Sequence, residues 1–376
     1  MKKVFYFSLG FLFLVLIFFG AYNFVFRNNV NSPVVDQGKK IIEAPADTIP
    51  IVTNITATVN EDILGATVSP DGFLYYYSLD ERALKKASLE GKDKSVLLSD
   101  FPGTPVRLLW SPKRDRVLIY LQETGGQNIW HFADLTTKTL VPLKGEISRI
   151  AWNNLGDKIF YQYTDPKSGE RTLNIANPDA TGWKKLADLS HDTFIAPVPQ
   201  SANVSFWSRP NALEKTFFES VSSTGENRHT ILSERFGADY LWSPNGERVL
   251  VSAGAEKGGK DILLSTMNGD GGEFQSIAIP TIISKAVWSK DSKTIYYALP
   301  GSLPEDAVLP NDYFDKSIHT KDTFWKTDTL SGKKSRLSDL KKLTQNFDSS
   351  DLFLSPNEDF LFFTDRSTKR LYRIGL

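Results

Sequence analysis

The sequence has 376 residues, with 44 basic and 44 acidic side chains and no cysteine. Zero net charge provides no basic field for nucleic acid. The absence of cysteine excludes disulfides, thiolate metal ligands, cysteine nucleophiles and a lipid-modified cysteine anchor. The 25 Phe, 13 Tyr and 8 Trp residues are enough aromatic surface for a large β core.

Residues 1–27 predict a transmembrane anchor. Lys2 and Lys3 precede an apolar run from Val4 to Phe26. As a helix this run would be about 34 Å long, enough to cross a hydrocarbon core of about 30 Å. The basic end is expected to stay inside, which predicts a single-pass protein of the cytoplasmic membrane with the remainder outside the cytoplasm. A cleaved signal peptide is the alternative for this segment.

Residues 28–50 contain Pro33, Pro45 and Pro50 and show no hydrophobic period, which predicts a flexible linker. From residue 51 onward, runs rich in Val, Ile, Tyr and Phe alternate with turns rich in Gly, Asp, Asn and Ser. This spacing is typical of consecutive short strands. The pattern predicts an all-β domain that covers residues 51–376.

A short sequence motif recurs through this domain. Its clearest copy is Trp242-Ser243-Pro244-Asn245-Gly246, which reads as the end of a strand followed by a tight turn. The Ser position of the successive copies is occupied by Ser69, Ser111, Asn153, Val198, Ser243, Ser289 and Ser355, at steps of 42, 42, 45, 45, 46 and 66 residues. A period of about 40–45 residues with four strands per unit predicts a β-propeller, here with seven four-stranded antiparallel blades.

The last unit ends after three strands, while residues 51–59 form a strand that belongs to no unit. We therefore expect the N-terminal strand to complete the last blade. Closing the ring in this way removes the exposed edges of an open stack.

The repeat resembles that of TolB-like β-propellers, which are related to WD-repeat proteins and to the propeller domains of prolyl-oligopeptidase-type enzymes. The resemblance covers residues 51–376 and depends on the copy at Trp242 and its weaker forms at Trp110, Trp152 and Trp288. The third, fourth and sixth copies depart from the pattern. No Gly-x-Ser-x-Gly motif is present and no hydrolase domain follows the last unit. The resemblance implies a binding platform more than a catalyst.

Metal and cofactor chemistry finds little support in the spacing of the residues. The four histidines, His131, His191, His229 and His319, form no ligand pair. The segment 268–273 lacks the acidic ladder of a calcium loop and fits a hairpin turn. We predict no catalytic residue, metal or cofactor, and no nucleic-acid partner. Finding His191 and His319 near one mouth of the channel with an Asp would favour an enzyme.

The position three residues before the Trp position is charged in five of the seven first strands. The seven positions are Gly65, Arg107, Arg149, Phe194, Asp239, Lys285 and Asp351. First strands are innermost in a propeller, so these charges are expected to form a ring of mixed sign at one mouth of the axial channel. The ring could hold a polar ligand or a partner segment. The alternative is that its charges solvate the mouth and pair with each other.

The 66-residue step contains about 20 extra residues, 300–321, between the second and third strands of the sixth unit. Long loops in compact domains are often binding loops, and this one contains Asp312, Tyr313 and Asp315, with Trp325 just beyond. The alternative is an insertion packed over the edge of the blade. Chain direction places this loop and the charged ring on one face, and the start of the N-terminal strand on the other.

These features predict a non-catalytic, membrane-anchored propeller outside the cytoplasm that binds a protein, a peptide or an envelope polymer. The alternatives are a propeller hydrolase or lyase with its site at the axial mouth, and a sugar sensor with an aromatic pocket near Tyr313 and Trp325. The sequence leaves the identity of the partner and the oligomeric state open.

Overall fold

A computed structural model describes residues 55–376, except residues 124, 260, 302 and 339–344. The predicted anchor, residues 1–27, the predicted linker, residues 28–50, and residues 51–54 lie outside the described residues.

The structure contradicts the predicted localisation in the cytoplasmic membrane. Across the described part of the chain, no helix combines the length and the apolar character needed to cross a bilayer. The single-pass topology is therefore not retained.

The described chain forms antiparallel sheets whose strands follow one another in sequence. The strands are β1 (Ile55–Ala57), β2 (Ile63–Val68), β3 (Phe73–Ser78), β4 (Ala83–Ser88), β5 (Ser95–Leu98), β6 (Gly103–Trp110), β7 (Arg116–Glu123), β8 (Asn128–Asp134), β9 (Thr139–Pro142), β10 (Ile147–Trp152), β11 (Ile159–Thr164), β12 (Arg171–Ala176), β13 (Lys184–Leu189), β14 (Thr193–Pro197), β15 (Asn203–Ser208), β16 (Lys215–Ser222), β17 (His229–Trp242), β18 (Arg248–Gly254), β19 (Ile262–Asn268), β20 (Gln275–Ile279), β21 (Ala286–Trp288), β22 (Thr294–Pro300), β23 (Asp322–Asp328), β24 (Lys334–Arg336), β25 (Ser349–Leu354), β26 (Phe360–Asp365) and β27 (Leu371–Gly375). A 3-10 turn, Ile283–Lys285, precedes β21, and one helix, α1 (Asn311–Phe314), lies between β22 and β23.

Strands β2–β5, β6–β9, β10–β13 and β21–β24 each form a four-stranded sheet, and β14–β20 form one of seven strands. In the seven-stranded sheet, β17 pairs with β16 from His229 to Phe236 and with β18 from Phe236 to Trp242. The register breaks between Phe236 and Asp239. This sheet therefore consists of two four-stranded halves that share one long strand.

The predicted closure by the N-terminal strand is confirmed. β1 pairs antiparallel with β27, with Ile55 opposite Ile374, and completes the sheet β1-β27-β26-β25. The first strands contact one another from β2 through β6 and β10 to β14, and from β21 through β25 to β2, while β17 contacts the 3-10 turn before β21. We call β2, β6, β10, β14, the second half of β17, β21 and β25 the inner strands, and the ring of their first residues the axial mouth.

Apolar side chains fill the space between successive sheets, because alternate residues of a strand point to opposite faces. Leu118 and Trp130 of one sheet, for example, pack with Ile150 and Ile159 of the next. Burying each such side chain contributes about 1.5–3 kcal/mol, so the packing between sheets is the main source of stability.

The recurring Trp joins neighbouring inner strands through its indole N–H. Trp110 Nε1 donates to the carbonyl oxygen of Gly65 at 2.7 Å, and Trp152 Nε1 to that of Leu109 at 2.8 Å. Trp288 Nε1 donates to the carbonyl oxygen of Leu241 at 3.2 Å. Each bond satisfies a carbonyl group of the preceding unit.

The recurring Ser closes the turn between the first and second strands. Ser243 Oγ accepts the backbone N–H of Arg248 at 3.0 Å, and Ser355 Oγ accepts that of Phe360 at 3.0 Å. Gly246 follows with φ +72, and a Cβ there would lie 2.3 Å from the carbonyl oxygen of Pro199. The repeat is therefore a packing and turn device.

The indole bond gives a stability prediction. Trp152→Phe keeps most of the buried ring but removes the indole donor from the carbonyl of Leu109. We expect the free energy of unfolding in urea to fall by about 1–3 kcal/mol. The control is Trp183→Phe, at a side chain that is 60% exposed, with an expected change within about 0.5 kcal/mol. Equal losses for both variants would contradict this role of the indole.

Candidate binding site at the axial mouth

β-Bulges occur at the axial mouth where the sequence predicted charged positions. In the described residues, the register of the inner strands shifts between Leu64 and Thr67, Pro105 and Arg107, Ile147 and Arg149, Phe236 and Asp239, and Ser350 and Phe353. A bulge inserts one unpaired residue, bends the strand and re-aims its side chain. The bulges skip Val106, Ser148 and Ala238, so Arg107, Arg149 and Asp239 are the first paired residues after them. Asp351 lies within its own bulge.

Arg107 and Arg149 line a cavity of about 510 Å³ together with Arg171 of β12 and one carboxylate, Asp192. We call this cavity the arginine pocket. It opens between the sheets β6–β9 and β10–β13, at the end where β7 and β11 finish and β8 and β12 begin. Tyr120 and Trp130 form an aromatic wall, with ring centroids 4.8 Å apart.

Arg149 and Asp192 form a two-point salt bridge, with Nε to Oδ1 at 3.2 Å and Nη2 to Oδ2 at 2.6 Å. Gln162 Nε2 also donates to Asp192 Oδ1, at 3.2 Å. Burial by itself would raise the pKa of Asp192. The hydrogen bonds and charge of Arg149, with the charge of Arg171, instead hold that pKa below its usual range. The only carboxylate of the pocket's lining is therefore ionised and already neutralised.

The side chains of Arg107 and Arg171 make no hydrogen bond or salt bridge with any residue that the structure describes. Restricted hydration, and then the like charge of Arg149, lower the pKa of Arg107, while Asp351 opposes the shift. An arginine side chain still keeps its proton at neutral pH. The pocket therefore has an excess of positive charge with free donors.

The acidic positions of the mouth lie on other units. Asp239 Oδ1 accepts the indole N–H of Trp207 at 2.9 Å and the backbone N–H of Tyr240 at 3.0 Å. Burial outweighs both bonds and raises the pKa of Asp239 to about 6. Burial also raises the pKa of Asp351, against a hydrogen bond from Ser350 and the charges of Arg107 and Arg366. The mouth is positive on two adjoining sheets and acidic elsewhere.

Lys285 does not belong to this ring, which corrects the sequence prediction. The 3-10 turn before β21 replaces the bulge, and the ammonium group of Lys285 is fully buried. Its Nζ donates to Asp322 Oδ2 at 2.6 Å, to the carbonyl oxygen of Ser349 at 2.6 Å and to Asp348 Oδ1 at 3.2 Å. Lys285 is a structural cation. At the fourth predicted position β14 pairs regularly, and Phe194 packs on Trp207.

The predicted insertion between β22 and β23 is present, and we call residues 301–321 the long loop. Tyr313 is buried, and its hydroxyl donates to the carbonyl oxygen of Ser349 at 3.1 Å. Its ring lies 3.8 Å from the guanidinium carbon of Arg366 and 4.9 Å from Lys285 Nζ. Tyr313 therefore fastens the loop to the last sheet and is not an exposed binding residue.

The other candidates of the long loop have different surroundings. Asp312 Oδ2 accepts the backbone N–H of Val308 at 2.7 Å and so stabilises the loop itself. Asp315 is exposed, with a carboxylate oxygen 3.9 Å from Arg209 Nη2. Trp325 donates to Thr323 Oγ1 at 2.8 Å and packs in a different apolar cluster from Tyr313. The two aromatic residues do not form the predicted sugar pocket.

The arrangement of histidine and acid that would favour an enzyme is not formed by His191 and His319. His319 Nδ1 lies 3.0 Å from Asp348 Oδ2, whereas His191 Nδ1 lies 2.7 Å from Ser190 Oγ. Among the described residues, no group of three or more His, Cys, Asp or Glu side chains is placed to hold a metal ion.

Sequence reasoning missed Arg171 and Asp192, which complete the pocket. Arg171 begins the third strand of its unit, and Asp192 immediately precedes β14. Both positions lie at the same end of their units as the predicted ring. A search for charged residues at the starts of the third strands and just before the first strands would have found both residues.

Comparison with solved structures supports the fold. An oligogalacturonate lyase in complex with manganese matches with a TM-score of 0.59 and 14% identity, over 86% of this chain and 90% of that chain. An oligogalacturonate lyase from Vibrio parahaemolyticus matches with 0.61 and 13%, over 85% and 93%. TolB from Acinetobacter baumannii matches with a lower TM-score, 0.47, and 11% identity, over 86% and 65%. At these identities the likeness concerns the fold alone, and the chain is an all-β propeller.

No protein-family model matches the sequence. The search of curated proteins gives no match either.

The buried lysine gives a second stability prediction. Lys285→Met keeps the side-chain volume but leaves the fully buried carboxylate of Asp322 without its cation. We expect the free energy of unfolding to fall by about 3–5 kcal/mol. Lys290→Met, at an exposed side chain two residues beyond Trp288, is the control and should change little. A loss no larger than that of the control would show that the cation is dispensable.

The pKa of Asp239 gives a pH prediction. The pKa is raised from 3.8 to about 6, so the ionised carboxylate destabilises the folded state. This penalty is absent below the unfolded pKa and complete above the folded one. Asp239→Asn should therefore raise the free energy of unfolding above a pH of about 6 and leave it unchanged in strong acid.

The control for Asp239→Asn is Asp179→Asn. Hydrogen bonds from the side chain and backbone of Thr181 lower the pKa of Asp179, so this variant should lose stability at neutral pH. Urea unfolding over a pH series measures both differences. A stability change at Asp239 that does not vary with pH would contradict the assignment.

Proposed function

We propose that this protein is a non-catalytic binding protein, built as a seven-bladed propeller, that holds a segment of a protein or peptide partner at the axial mouth. The blade count is supported by the division of the seven-stranded sheet at β17. It is also supported by the apolar clusters that join each four-stranded unit to the next, including one that joins β26 and β27 to β2–β4.

The arginine pocket is the observation that carries this proposal. Its volume of about 510 Å³ is within the range of ligand sites, and three guanidinium groups face one carboxylate. Charges that serve only to solvate a channel are expected to pair with each other. The side chains of the exposed Arg107 and the half-buried Arg171 remain without hydrogen-bonded partners among the described residues. An anionic group of a partner would satisfy them.

The long loop supports a binding surface on the same face. Asn311 Oδ1 accepts the backbone N–H of Ala212 at 2.8 Å, and its Nδ2 donates to Asn211 Oδ1 at 2.9 Å. Arg366 Nη2 donates to the carbonyl oxygen of Tyr313 at 2.9 Å. These bonds fasten the loop to the segment between β15 and β16 and to the turn after β26. A preorganised loop loses little conformational entropy when it binds.

Site-directed crosslinking tests the proposal, and the absence of native cysteine makes single-cysteine variants specific. Ser148→Cys places a photo-crosslinker in the arginine pocket, and Lys316→Cys places one on the long loop. Lys113→Cys, in the turn between β6 and β7, places one on the opposite face as the control. We expect the same partner to be captured from the first two positions and not from the third.

Capture from Ser148→Cys should also be lost when Arg171→Glu is added, because the added carboxylate repels an anionic group. Capture only from Lys113→Cys, or capture that is indifferent to Arg171→Glu, would contradict the proposed function.

A further inference from the structure

The charges of the axial mouth are segregated by sign around the ring. In the order of the units, the positions are Gly65, Arg107, Arg149, Phe194, Asp239, the buried Lys285, and Asp351. The two arginines, the exposed Arg107 and the half-buried Arg149, are consecutive, and the acids lie on the fifth and seventh positions. The mouth therefore has a positive side and an acidic side.

Gly65 is the one position between Asp351 and Arg107 along the ring. It has φ +60, and a Cβ there would lie 2.8 Å from Leu108 Cβ. Because glycine has no side chain, none stands between Arg107 and Asp351 at this position. The charge of each of these two groups affects the pKa of the other. They nevertheless make no salt bridge, so both groups are available to a ligand.

The positive side fits a carboxylate. Guanidinium groups present planar pairs of N–H donors that match the two oxygens of a carboxylate. Arg149 already holds Asp192 in this manner, at 3.2 and 2.6 Å. Arg171 and Arg107, in the same pocket, have this geometry to offer to a second carboxylate.

The acidic side fits a cation. Asp351 and Asp239 make no salt bridge with a described residue; their hydrogen-bond donors are Ser350, Trp207 and Tyr240. A cation of the partner would form the salt bridge that these two carboxylates lack. A purely anionic chain, such as an acidic polysaccharide, would instead place negative charge against both carboxylates, which is unfavourable.

From this geometry we infer that the axial mouth binds a polypeptide segment of mixed charge, with an acidic side chain in the arginine pocket and a basic side chain against Asp351. This inference rests on the proposed function and specifies the chemistry of the bound segment. It favours a peptide over an acidic sugar, because peptides carry both signs at short spacing.

Binding of synthetic peptides tests the inference. Three probes share one length and one Gly/Ser scaffold: a mixed peptide with two Asp at one end and two Lys at the other, an Asp-only peptide and a Lys-only peptide. A short oligouronate is the fourth probe. Calorimetric titration of the folded chain at low ionic strength should give an affinity for the mixed peptide about tenfold higher than for the other three.

Variants on the two sides should separate the two contacts. Arg171→Ala should weaken binding of the mixed and the Asp-only peptides. Asp351→Asn should weaken binding of the mixed and the Lys-only peptides and leave the Asp-only peptide unaffected or tighter. Asp179→Asn, a surface carboxylate outside the lining of the pocket, is the matched control and should change none of the affinities.

Two results would overturn the inference. One is an affinity for the Asp-only peptide or the oligouronate that equals or exceeds that for the mixed peptide. The other is no binding of the mixed peptide. If mouth-specific crosslinking persists but none of the peptides competes with the captured partner, the inference fails and the proposed function stands. If mouth-specific capture itself is absent, both fail.

Discussion

A hydrogen bond from a buried indole to the backbone of the preceding unit holds neighbouring inner strands at a fixed spacing. Trp110, Trp152 and Trp288 each make this bond, and the turn that follows each of them begins with Ser or Asn. Trp242 instead reaches the second strand of the preceding unit, with Nε1 donating to Ser205 Oγ of β15 at 2.9 Å. The later features of the mouth depend on this spacing, because side chains from different units can meet only if their strands keep it.

The bulges occur at the other end of the inner strands, away from the turn that follows each Trp. There the register of the strands shifts directly before Arg107, Arg149 and Asp239, and at Asp351. Where the bulge is replaced by a 3-10 turn, the charged side chain enters the interior and needs partners there. Lys285 donates hydrogen bonds to Asp322, Asp348 and Ser349, and so helps to support the long loop.

Three features were predictable from the spacing of residues along the chain: the repeat, the closing strand and the insertion. A strand has a side-chain period of two, a turn needs Ser, Asn or Gly, and a missing strand must be supplied from the other end of the chain. The pairing of charged groups within the arginine pocket and around Lys285 was not predictable in this way. Asp192 meets Arg149 across 43 residues, and the partners of Lys285 are 37 and 63 residues away. Only the closed ring brings these groups together.

The central claim is that opposite charges on the two sides of the mouth recognise opposite charges on one bound segment. A double-mutant cycle between protein and peptide measures this directly. Arg171 should couple to the peptide Asp, and Asp351 to the peptide Lys, each by about 0.5–3 kcal/mol, while the crossed pairs should couple by no more than a few tenths. Coupling near zero for both matched pairs, or equal coupling for matched and crossed pairs, would contradict the claim.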